Sequence, residues 1–204
     1  RRAGSALASV LRGETDPLTV LFSAEDSGAG NLYAESPYAR VVNALLGEAI
    51  GAVRSRVPRG RVLRLLEIGG GTGSSTAVVL PHLDPEATAY HFTDVSTLFL
   101  DKAAKRFADA PFMTFAILDV EQEPREDARY DIALAANVLH ATRDIAESLR
   151  NIRRLLAPGG LLLLLDSTSQ QRWVDLVFGL TDGWWRFRDM ELRPDHPLLD
   201  RGRA

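Results

Sequence analysis

Short apolar segments and amphipathic segments alternate along most of this chain. The apolar segments have the length of buried β-strands and are bounded by glycine, proline or acidic residues. In the segments between them, apolar residues recur three and four positions apart, which predicts helices with one buried face. The strands are predicted at 61–68, 89–93, 112–118, 132–136 and 161–165, and the helices at 37–57, at 74–83, after an N-cap at Ser96, and over Ile145–Leu156.

This alternation indicates the fold class. Strands that alternate with helices form a parallel, doubly wound α/β sheet with right-handed crossovers. The fifth predicted strand, Leu161–Leu165, is apolar at every position, which predicts that it is buried on both faces. In a sheet of this class, ligands bind beyond the carboxyl ends of the strands, near the first turn from strand to helix.

Composition and charge exclude several classes of function. The 204 residues are 46% hydrophobic and 25% charged, enough for the core of one α/β domain. The net charge is −3 and the basic residues are scattered, so we expect no nucleic-acid partner. The chain has no cysteine, which excludes disulfides and thiolate metal sites, and we expect no metal. No apolar run is long enough to cross a membrane, and we expect a cytoplasmic location without membrane association.

Residues 69–73, Gly-Gly-Gly-Thr-Gly, follow the first predicted strand directly. So many missing side chains predict that a ligand approaches this backbone closely. A dinucleotide-binding GxGxxG pattern would need its third glycine at Ser74 or Thr76, and a P-loop would need a lysine that this region lacks. No Tyr-x-x-x-Lys pair occurs in the chain, which also disfavours a nucleotide-sugar or nicotinamide oxidoreductase.

The pattern Glu67-x-Gly69-x-Gly71-x-Gly73 instead resembles motif I of the class I S-adenosylmethionine-dependent methyltransferases. The resemblance implies a Rossmann-like class I methyltransferase fold with S-adenosylmethionine as cofactor and S-adenosylhomocysteine as product. It also implies that the three glycines lie against the amino-acid and ribose portion of the cofactor, with Glu67 near its ammonium group.

Polar residues at the ends of the next strands extend this cofactor-binding set. Asp94 ends the second predicted strand, where a carboxylate can accept hydrogen bonds from both ribose hydroxyls. Asp119 ends the third strand, where the methyltransferases hold the adenine amino group by an acidic side chain or neighbouring backbone. The resemblance adds Val120 and Asn137. Either acid alone would also fit a helix-capping role, and it is their order along the chain that favours a binding site.

Longer segments resemble a narrower family, the methyltransferase domains embedded in modular type I polyketide synthases. The most specific are "NVLHAT" and "FGLTDGWW", and the resemblance runs from about Asp16 to Leu199. In that family the histidine of the LHAT motif, here His140, is the catalytic base, and an acid at the end of the fifth strand, here Asp166, orients it. A helix-capping role is the alternative for both residues. Imidazole titrates near neutral pH and suits the removal of a proton.

The resemblance implies methyl transfer to a polyketide intermediate that is tethered through phosphopantetheine to an acyl carrier protein, with neighbouring synthase domains in cis. We expect the β-hydroxyl to be the acceptor, because the carbon-methylating members have glutamate where this chain has Asp166, and have a longer acidic loop before the fourth strand. The alternatives are methylation of the α-carbon of a β-ketoacyl thioester and an inactive structural domain of the synthase. The intact Glu67, glycines, Asp94 and His140 argue against the inactive domain.

We expect three regions: a partial N-terminal helical lid over 1–57, the cofactor-binding core over 58–170, and a helical and aromatic segment over 171–204. The resemblance implies that Tyr33 and Tyr38 close over the cofactor and that Trp184 and Trp185 line an acyl tunnel, with core packing as the alternative for the tryptophans. Two more strands would follow Leu199 in the complete fold, so we expect a sheet that is truncated before them. The chain also begins without methionine, so we expect it to be a piece of a longer protein.

Overall fold

The computed structural model describes residues 2–22, 28–124 and 129–202, within which eight α-helices and five β-strands form. The strands are β1 (Leu63–Ile68), β2 (Thr88–Asp94), β3 (Met113–Ile117), β4 (Tyr130–Ala136) and β5 (Leu156–Leu165). The helices are α1 (Arg2–Leu11), α2 (Pro17–Leu21), α3 (Gly28–Ala34), α4 (Pro37–Arg54), α5 (Ser74–Val79), α6 (Thr97–Arg106), α7 (Ile145–Leu155) and α8 (Arg172–Phe178). Single 3₁₀ turns occupy Leu80–His82, Pro85–Ala87 and Leu139–Ala141.

Side-chain caps start two of the helices predicted from apolar spacing. Ser36 Oγ accepts the Ala39 N–H at 3.2 Å before α4, and Asp144 Oδ1 accepts the Glu147 N–H at 2.8 Å before α7. Ser96 occupies the N-cap position of α6, as predicted, but its side chain makes no capping hydrogen bond.

The five strands form one parallel sheet in the order β3-β2-β1-β4-β5. Glu67 of β1 lies between Phe92 of β2 and Leu134 of β4. The strand order reverses between β1 and β4, and the carboxyl ends of these strands therefore open a crevice at one edge of the sheet. The parallel, doubly wound class predicted from the sequence is confirmed.

The core lies on both faces of this sheet. On one face, Leu65 and Phe92 pack with Ile50 of α4 and with α5 and α6. On the other, Leu66 and Ala135 pack with the apolar stripe of α7. The central strands are therefore buried on both sides, which fixes the positions of the loops at their carboxyl ends.

The prediction that the fifth strand is buried on both faces is wrong. Leu161 and Leu164 are 41% and 48% exposed, because β5 is an edge strand that pairs only with β4 in the described part of the sheet. The strand also begins earlier than predicted, at Leu156, and a bulge shifts its register opposite Tyr130 and Ile132.

The N-terminal helices are held against the core by polar and aromatic contacts. Asn43 of α4 donates to the Tyr33 carbonyl at 2.8 Å, and Lys102 of α6 donates to the Phe22 carbonyl. The rings of Phe22 and Phe99 meet edge to face with centroids 5.1 Å apart. In the described residues, no helix is long and apolar enough to span a membrane.

Candidate functional site

A cavity of about 370 Å³ lies beyond the carboxyl ends of the central strands, at the crevice where the strand order reverses. Its volume is within the range of pockets that hold cofactor-sized ligands. The floor is built from the glycine loop and from the loops that follow β2, β3 and β4. The cover is provided by Leu18, Phe22, Tyr33, Phe178 and Trp184, which come from the two ends of the chain.

The glycines of the loop have two different roles: Gly71 lines the cavity, and Gly73 allows two helices to pack. Gly71 has φ +53°, and a Cβ atom built there would meet only the Gly69 carbonyl, at 3.8 Å, so its missing side chain leaves the cavity open. Gly73 does not line the cavity. A Cβ at Gly73 would come within 2.7 Å of Phe107, so this glycine allows α5 to pack against α6 instead. The prediction that Gly73 lies against the ligand is therefore not met.

Asp94 stands at the carboxyl end of β2 with its carboxylate in the cavity wall. Its Oδ1 accepts the Ser96 N–H at 2.8 Å, and its Oδ2 accepts the Gly71 N–H at 2.9 Å. Burial raises the pKa of Asp94, and the backbone N–H donors oppose that rise. Each oxygen keeps a second acceptor site, so the carboxylate can also accept hydrogen bonds from a ligand.

Glu67 is not where the sequence analysis placed it. Its side chain is buried behind the glycine loop, on the sheet face that carries α5, and does not line the cavity. Its Oε2 accepts hydrogen bonds from Thr76 Oγ1 and Tyr90 OH, both at 2.7 Å. Burial raises the pKa of Glu67 to about 7, although these two donors lower it. Glu67 therefore supports the loop from below, because strand alternation turns it away from the crevice.

The loops after β3 and β4 bring three more predicted residues to the cavity. Asp119 and Val120 line it side by side, and Asp119 Oδ1 accepts the Glu121 N–H at 3.0 Å. Asn137 also lines the cavity, and it has φ +57°, the only positive φ of a non-glycine residue in the described chain. Its N–H donates to the Leu165 carbonyl at 2.7 Å, which turns the chain from β4 towards the next loop.

His140 lines the cavity and forms a hydrogen-bonded pair with Asp166 behind it. His140 Nδ1 lies 2.7 Å from Asp166 Oδ1, and the side chains are 11% and 17% exposed. A carboxylate only accepts hydrogen bonds, so Nδ1 carries the hydrogen and Nε2 of the neutral ring keeps a free lone pair. Because His140 lines the cavity, this arrangement can remove a proton from a bound molecule.

Aromatic side chains close the cavity around this pair. Trp184 is 4% exposed, and its ring meets the His140 imidazole edge to face at 5.2 Å. Tyr33 lies 5.7 Å from Phe178, ring to ring. Burial and, to a smaller extent, the negative charge of Asp166 raise the pKa of the Tyr33 hydroxyl far above its ordinary value. Tyr33 therefore stays neutral and can donate a hydrogen bond.

Two predicted residues lie outside the site. Tyr38 is 62% exposed at the start of α4, and Trp185 is 51% exposed with its indole N–H on the Gly179 carbonyl at 3.2 Å. Neither lines the cavity.

A polar pair at the cavity, Arg186 and Glu121, is not predicted from the sequence. Arg186 lines the cavity and pairs with Glu121 Oε2, while Glu121 Oε1 accepts the Arg143 N–H. The only sequence feature that could have indicated Arg186 is its position directly after the two adjacent tryptophans. Within the described residues, no group of three or more His, Cys, Asp or Glu side chains is placed to hold a metal ion.

Comparisons with known proteins point to one class. Residues 66–162 match a family described as a methyltransferase domain. The non-reducing polyketide synthase adrD of Penicillium roqueforti is 39% identical over 198 residues, which are 93% of this chain and 8% of that protein. The non-reducing polyketide synthase pkiA of Emericella nidulans is 39% identical over 196 residues, 91% of this chain and 8% of that protein.

Solved structures agree with these relatives. The CurJ carbon methyltransferase is 47% identical with a TM-score of 0.93, over 99% of this chain and 55% of that one. The CMeT domain of the citrinin polyketide synthase is 37% identical with a TM-score of 0.87, over 98% of this chain and 54% of that one. The chain thus spans about half of these structures and about 8% of the curated relatives. These neighbours do not support the expected preference for the β-hydroxyl.

Proposed function

Because this chain belongs to the S-adenosylmethionine-dependent methyltransferase domains of polyketide synthases, we propose that it methylates the α-carbon of a carrier-bound β-ketoacyl thioester. The observation that carries the proposal is the 2.7 Å hydrogen bond between Asp166 and His140, because His140 lines the cavity. The proposed acceptor is the alternative that the sequence analysis left open, and it replaces the β-hydroxyl.

Two features of the sequence favour the hydroxyl, and the geometry of Asp166 removes the first of them. The aspartate is shorter than the glutamate of the carbon-methylating pattern, yet it reaches His140 Nδ1 at 2.7 Å. An imidazole held in this way can remove a proton from the α-carbon of the acceptor. The other feature, the short acidic loop, falls partly outside the described residues. Two structural neighbours that cover nearly the whole chain are named as carbon methyltransferases or CMeT domains, which favours the carbon acceptor.

The residues present fit S-adenosylmethionine. The open space beside Gly71 and the paired oxygens of Asp94 suit the amino-acid and ribose portion, since Asp94 can accept from both ribose hydroxyls. Asp119 and Val120 would hold the adenine, and Asn137 would contact the amino-acid portion. A bound S-adenosylhomocysteine is named for the trans-methyltransferase CalH, which is 31% identical with a TM-score of 0.76.

In this proposal the chain contributes alignment and one proton transfer. When bound, S-adenosylmethionine supplies a methyl group already activated on a sulfonium, and S-adenosylhomocysteine is what remains. His140 Nε2 takes the α-proton, which is acidified by the two carbonyl groups that flank it, and Asp166 stabilises the imidazolium that forms. His140 then releases the proton to solvent. The aromatic cover excludes water and holds the acceptor against the donor.

The acceptor is proposed to arrive on a phosphopantetheine arm of an acyl carrier protein, and the neighbouring synthase domains are proposed to lie in cis. The relatives are polyketide synthases of which this chain spans about 8%, which supports a domain inside a larger assembly. The lid over 1–57 and the segment over 171–204 would then cover the core over 58–170, because both supply residues to the cavity wall.

The proposal is tested with a carrier protein loaded in parallel with 3-ketoacyl and 3-hydroxyacyl groups, incubated with the full chain and S-adenosylmethionine. Intact-protein mass spectrometry should show the gain of one methyl group on the 3-ketoacyl carrier only. Gain on the 3-hydroxyacyl carrier alone would overturn the carbon acceptor. If neither carrier protein gains a methyl group and calorimetry shows no cofactor binding, the chain is not a methyltransferase. That result would favour an inactive structural domain.

A further inference from the structure

Arg193 is a fully buried cation beneath the loop that carries His140. Its side chain is 0% exposed. Each of its five N–H groups has an acceptor, which is the full donor capacity of a guanidinium. The acceptors are Asp189 Oδ1 at 2.7 Å from Nε, the His140 and Pro197 carbonyls at 2.9 and 3.2 Å from Nη1, and the Thr142 and Arg143 carbonyls at 2.8 and 3.2 Å from Nη2.

Three of these acceptors belong to one short stretch of main chain. The His140 carbonyl lies in the 3₁₀ turn Leu139–Ala141, and the carbonyls of Thr142 and Arg143 lie between that turn and the start of α7. A stretch between two helical turns leaves carbonyls without helical partners, and burial makes an unpaired carbonyl costly. The planar fork of one arginine reaches all three, although the Arg143 carbonyl also accepts the Arg188 N–H at 2.8 Å. The single nitrogen of a lysine cannot reproduce the geometry of this fork.

Asp189 completes the arrangement by neutralising Arg193 and by fixing the helix that follows the loop. Its Oδ1 lies 2.6 Å from Arg193 Nη2, and its Oδ2 accepts the N–H of Ile145, the first residue of α7, at 3.1 Å. The ion pair therefore ties the C-terminal segment to both ends of the loop. The face of the Phe187 ring, 5.2 Å from the guanidinium carbon, closes the site.

We propose that Arg193 is a positioning residue for His140, an inference that rests on the proposed function of that histidine. His140 is held at three points: Asp166, at the end of β5, accepts from its imidazole and from its backbone N–H, and Arg193 of the C-terminal segment donates to its carbonyl. The direction of Nε2 into the cavity depends on both residues, because Asp166 fixes the ring and Arg193 fixes the peptide plane from which the side chain extends. Small displacements of a reacting group cost large factors in rate.

The test compares Arg193→Lys and Arg193→Met with the same substitutions at Arg150, an exposed arginine of α7. Arg193→Lys should lower kcat by about tenfold to a hundredfold while the Kd for S-adenosylmethionine changes by less than about threefold. The acid limb of its pH–rate profile should move by about half a pH unit or more, since the environment of the base has changed. The Arg150 variants should behave as wild type.

A second control separates positioning from loss of stability. Leu63 is 1% exposed at the amino end of the central strand β1, whereas the cavity lies beyond the carboxyl ends of the strands, so Leu63→Ala lowers Tm without touching the loop. At a matched loss of Tm, this variant should keep the wild-type pH–rate profile. If Arg193→Lys keeps the wild-type profile and kcat, or if Leu63→Ala moves the profile equally, Arg193 is structural and the proposal is wrong.

A readout without turnover keeps this proposal distinct from the proposed function. With ¹⁵N-labelled histidine, the Nδ1 and Nε2 resonances of His140, assigned by their loss in His140→Ala, should shift in Arg193→Lys and stay unchanged in Arg150→Lys. Unchanged resonances in Arg193→Lys would overturn the positioning role even if the wild type methylates. A wild type that does not methylate would overturn the proposed function, whatever the resonances show.

Discussion

The carboxylate of Asp166 holds both the side chain and the main chain of His140. Its Oδ1 lies 2.7 Å from Nδ1 of the imidazole, and its Oδ2 accepts the backbone N–H of the same histidine at 3.2 Å. The two residues are 26 positions apart in sequence, but they follow the neighbouring parallel strands β4 and β5. This double contact fixes the tautomer of the ring and its place at the cavity wall.

His140→Ala should lower the rate of methyl transfer severely without abolishing cofactor binding. A positioned general base contributes about a hundredfold to ten-thousandfold, and kcat should fall by that range. The Kd for S-adenosylmethionine, measured by calorimetry, should change by less than about threefold. Turnover within a few-fold of wild type would show that another group removes the proton.

Asp166→Asn should lower kcat less severely, by about tenfold to a thousandfold. The amide keeps the size of the carboxylate but replaces one of its two acceptor oxygens with a donor. It can therefore no longer accept both the Nδ1–H and the backbone N–H of His140. Single-turnover kinetics at saturating cofactor measure the effect. A rate equal to that of wild type would contradict the orienting role.

Asp94→Asn should weaken S-adenosylmethionine binding by about 1–3 kcal/mol, roughly tenfold to a hundredfold in Kd. The amide turns one acceptor into a donor facing either the Ser96 N–H or the Gly71 N–H, and it removes an acceptor for a ribose hydroxyl. Asp101→Asn on the exposed face of α6 is the matched control and should bind as wild type does. Equal affinity in both variants would exclude the ribose role.

Glu67 should make the stability of the protein depend on pH. Its pKa is about 7 in the folded chain and 4.5 when exposed, so between these values the folded state binds more protons than the unfolded state. The free energy of unfolding should therefore fall as pH rises from about 4.5 to about 7. The loss is on the order of 3 kcal/mol, from about 1.4 kcal/mol for each pH unit.

Glu67→Gln tests this effect because it cannot ionise and its carbonyl can still accept from Thr76 and Tyr90. Urea unfolding at pH 5 and pH 8 should give a smaller difference in the variant than in wild type. The nearby carboxylate of Asp94, whose pKa is also raised, is present in both proteins and cancels in the comparison. Parallel curves for the two proteins would contradict the raised pKa of Glu67.

The two adjacent tryptophans should respond very differently to the same substitution. Trp184→Phe removes an indole N–H that donates to Asp175 Oδ1 at 3.1 Å and leaves a void beside His140. The unfolding free energy should fall by about 1–3 kcal/mol, and kcat should fall as well. Trp185→Phe alters an exposed ring and should cost less than about 1 kcal/mol. Equal losses of unfolding free energy and of kcat in the two variants would show that Trp184 contributes no more than Trp185 does.

The sequence predicts those features that depend on local pattern and strand order. The spacing of apolar residues located α4 and α7, and the order of strands and helices was enough to infer a parallel sheet. Because parallel strands end at one edge, residues that follow different strands, such as Asp94, Asn137 and His140, could be expected to converge. The structure brings all three to the cavity wall.

The predictions that failed concern the direction of side chains and the edge of the sheet. Glu67 lies in the glycine-loop motif, but strand alternation turns it into the core towards Thr76 and Tyr90. Leu161 and Leu164 look like core residues and are exposed, because the exposure of an edge strand depends on what borders it rather than on its own sequence. Arg193 gave no sequence signal, since its role arises from main-chain carbonyls that any residue type would supply.

The most direct test of the account is the position of the transferred methyl group. Wild type and His140→Ala are each incubated with a 3-ketoacyl carrier protein and S-adenosylmethionine labelled with ¹³C in its methyl group, and the released acyl chain is examined by NMR. We expect a labelled methyl group on the α-carbon in the wild-type reaction and none above background with His140→Ala. A labelled methyl group on oxygen, or equal labelling of carbon by both proteins, would contradict it.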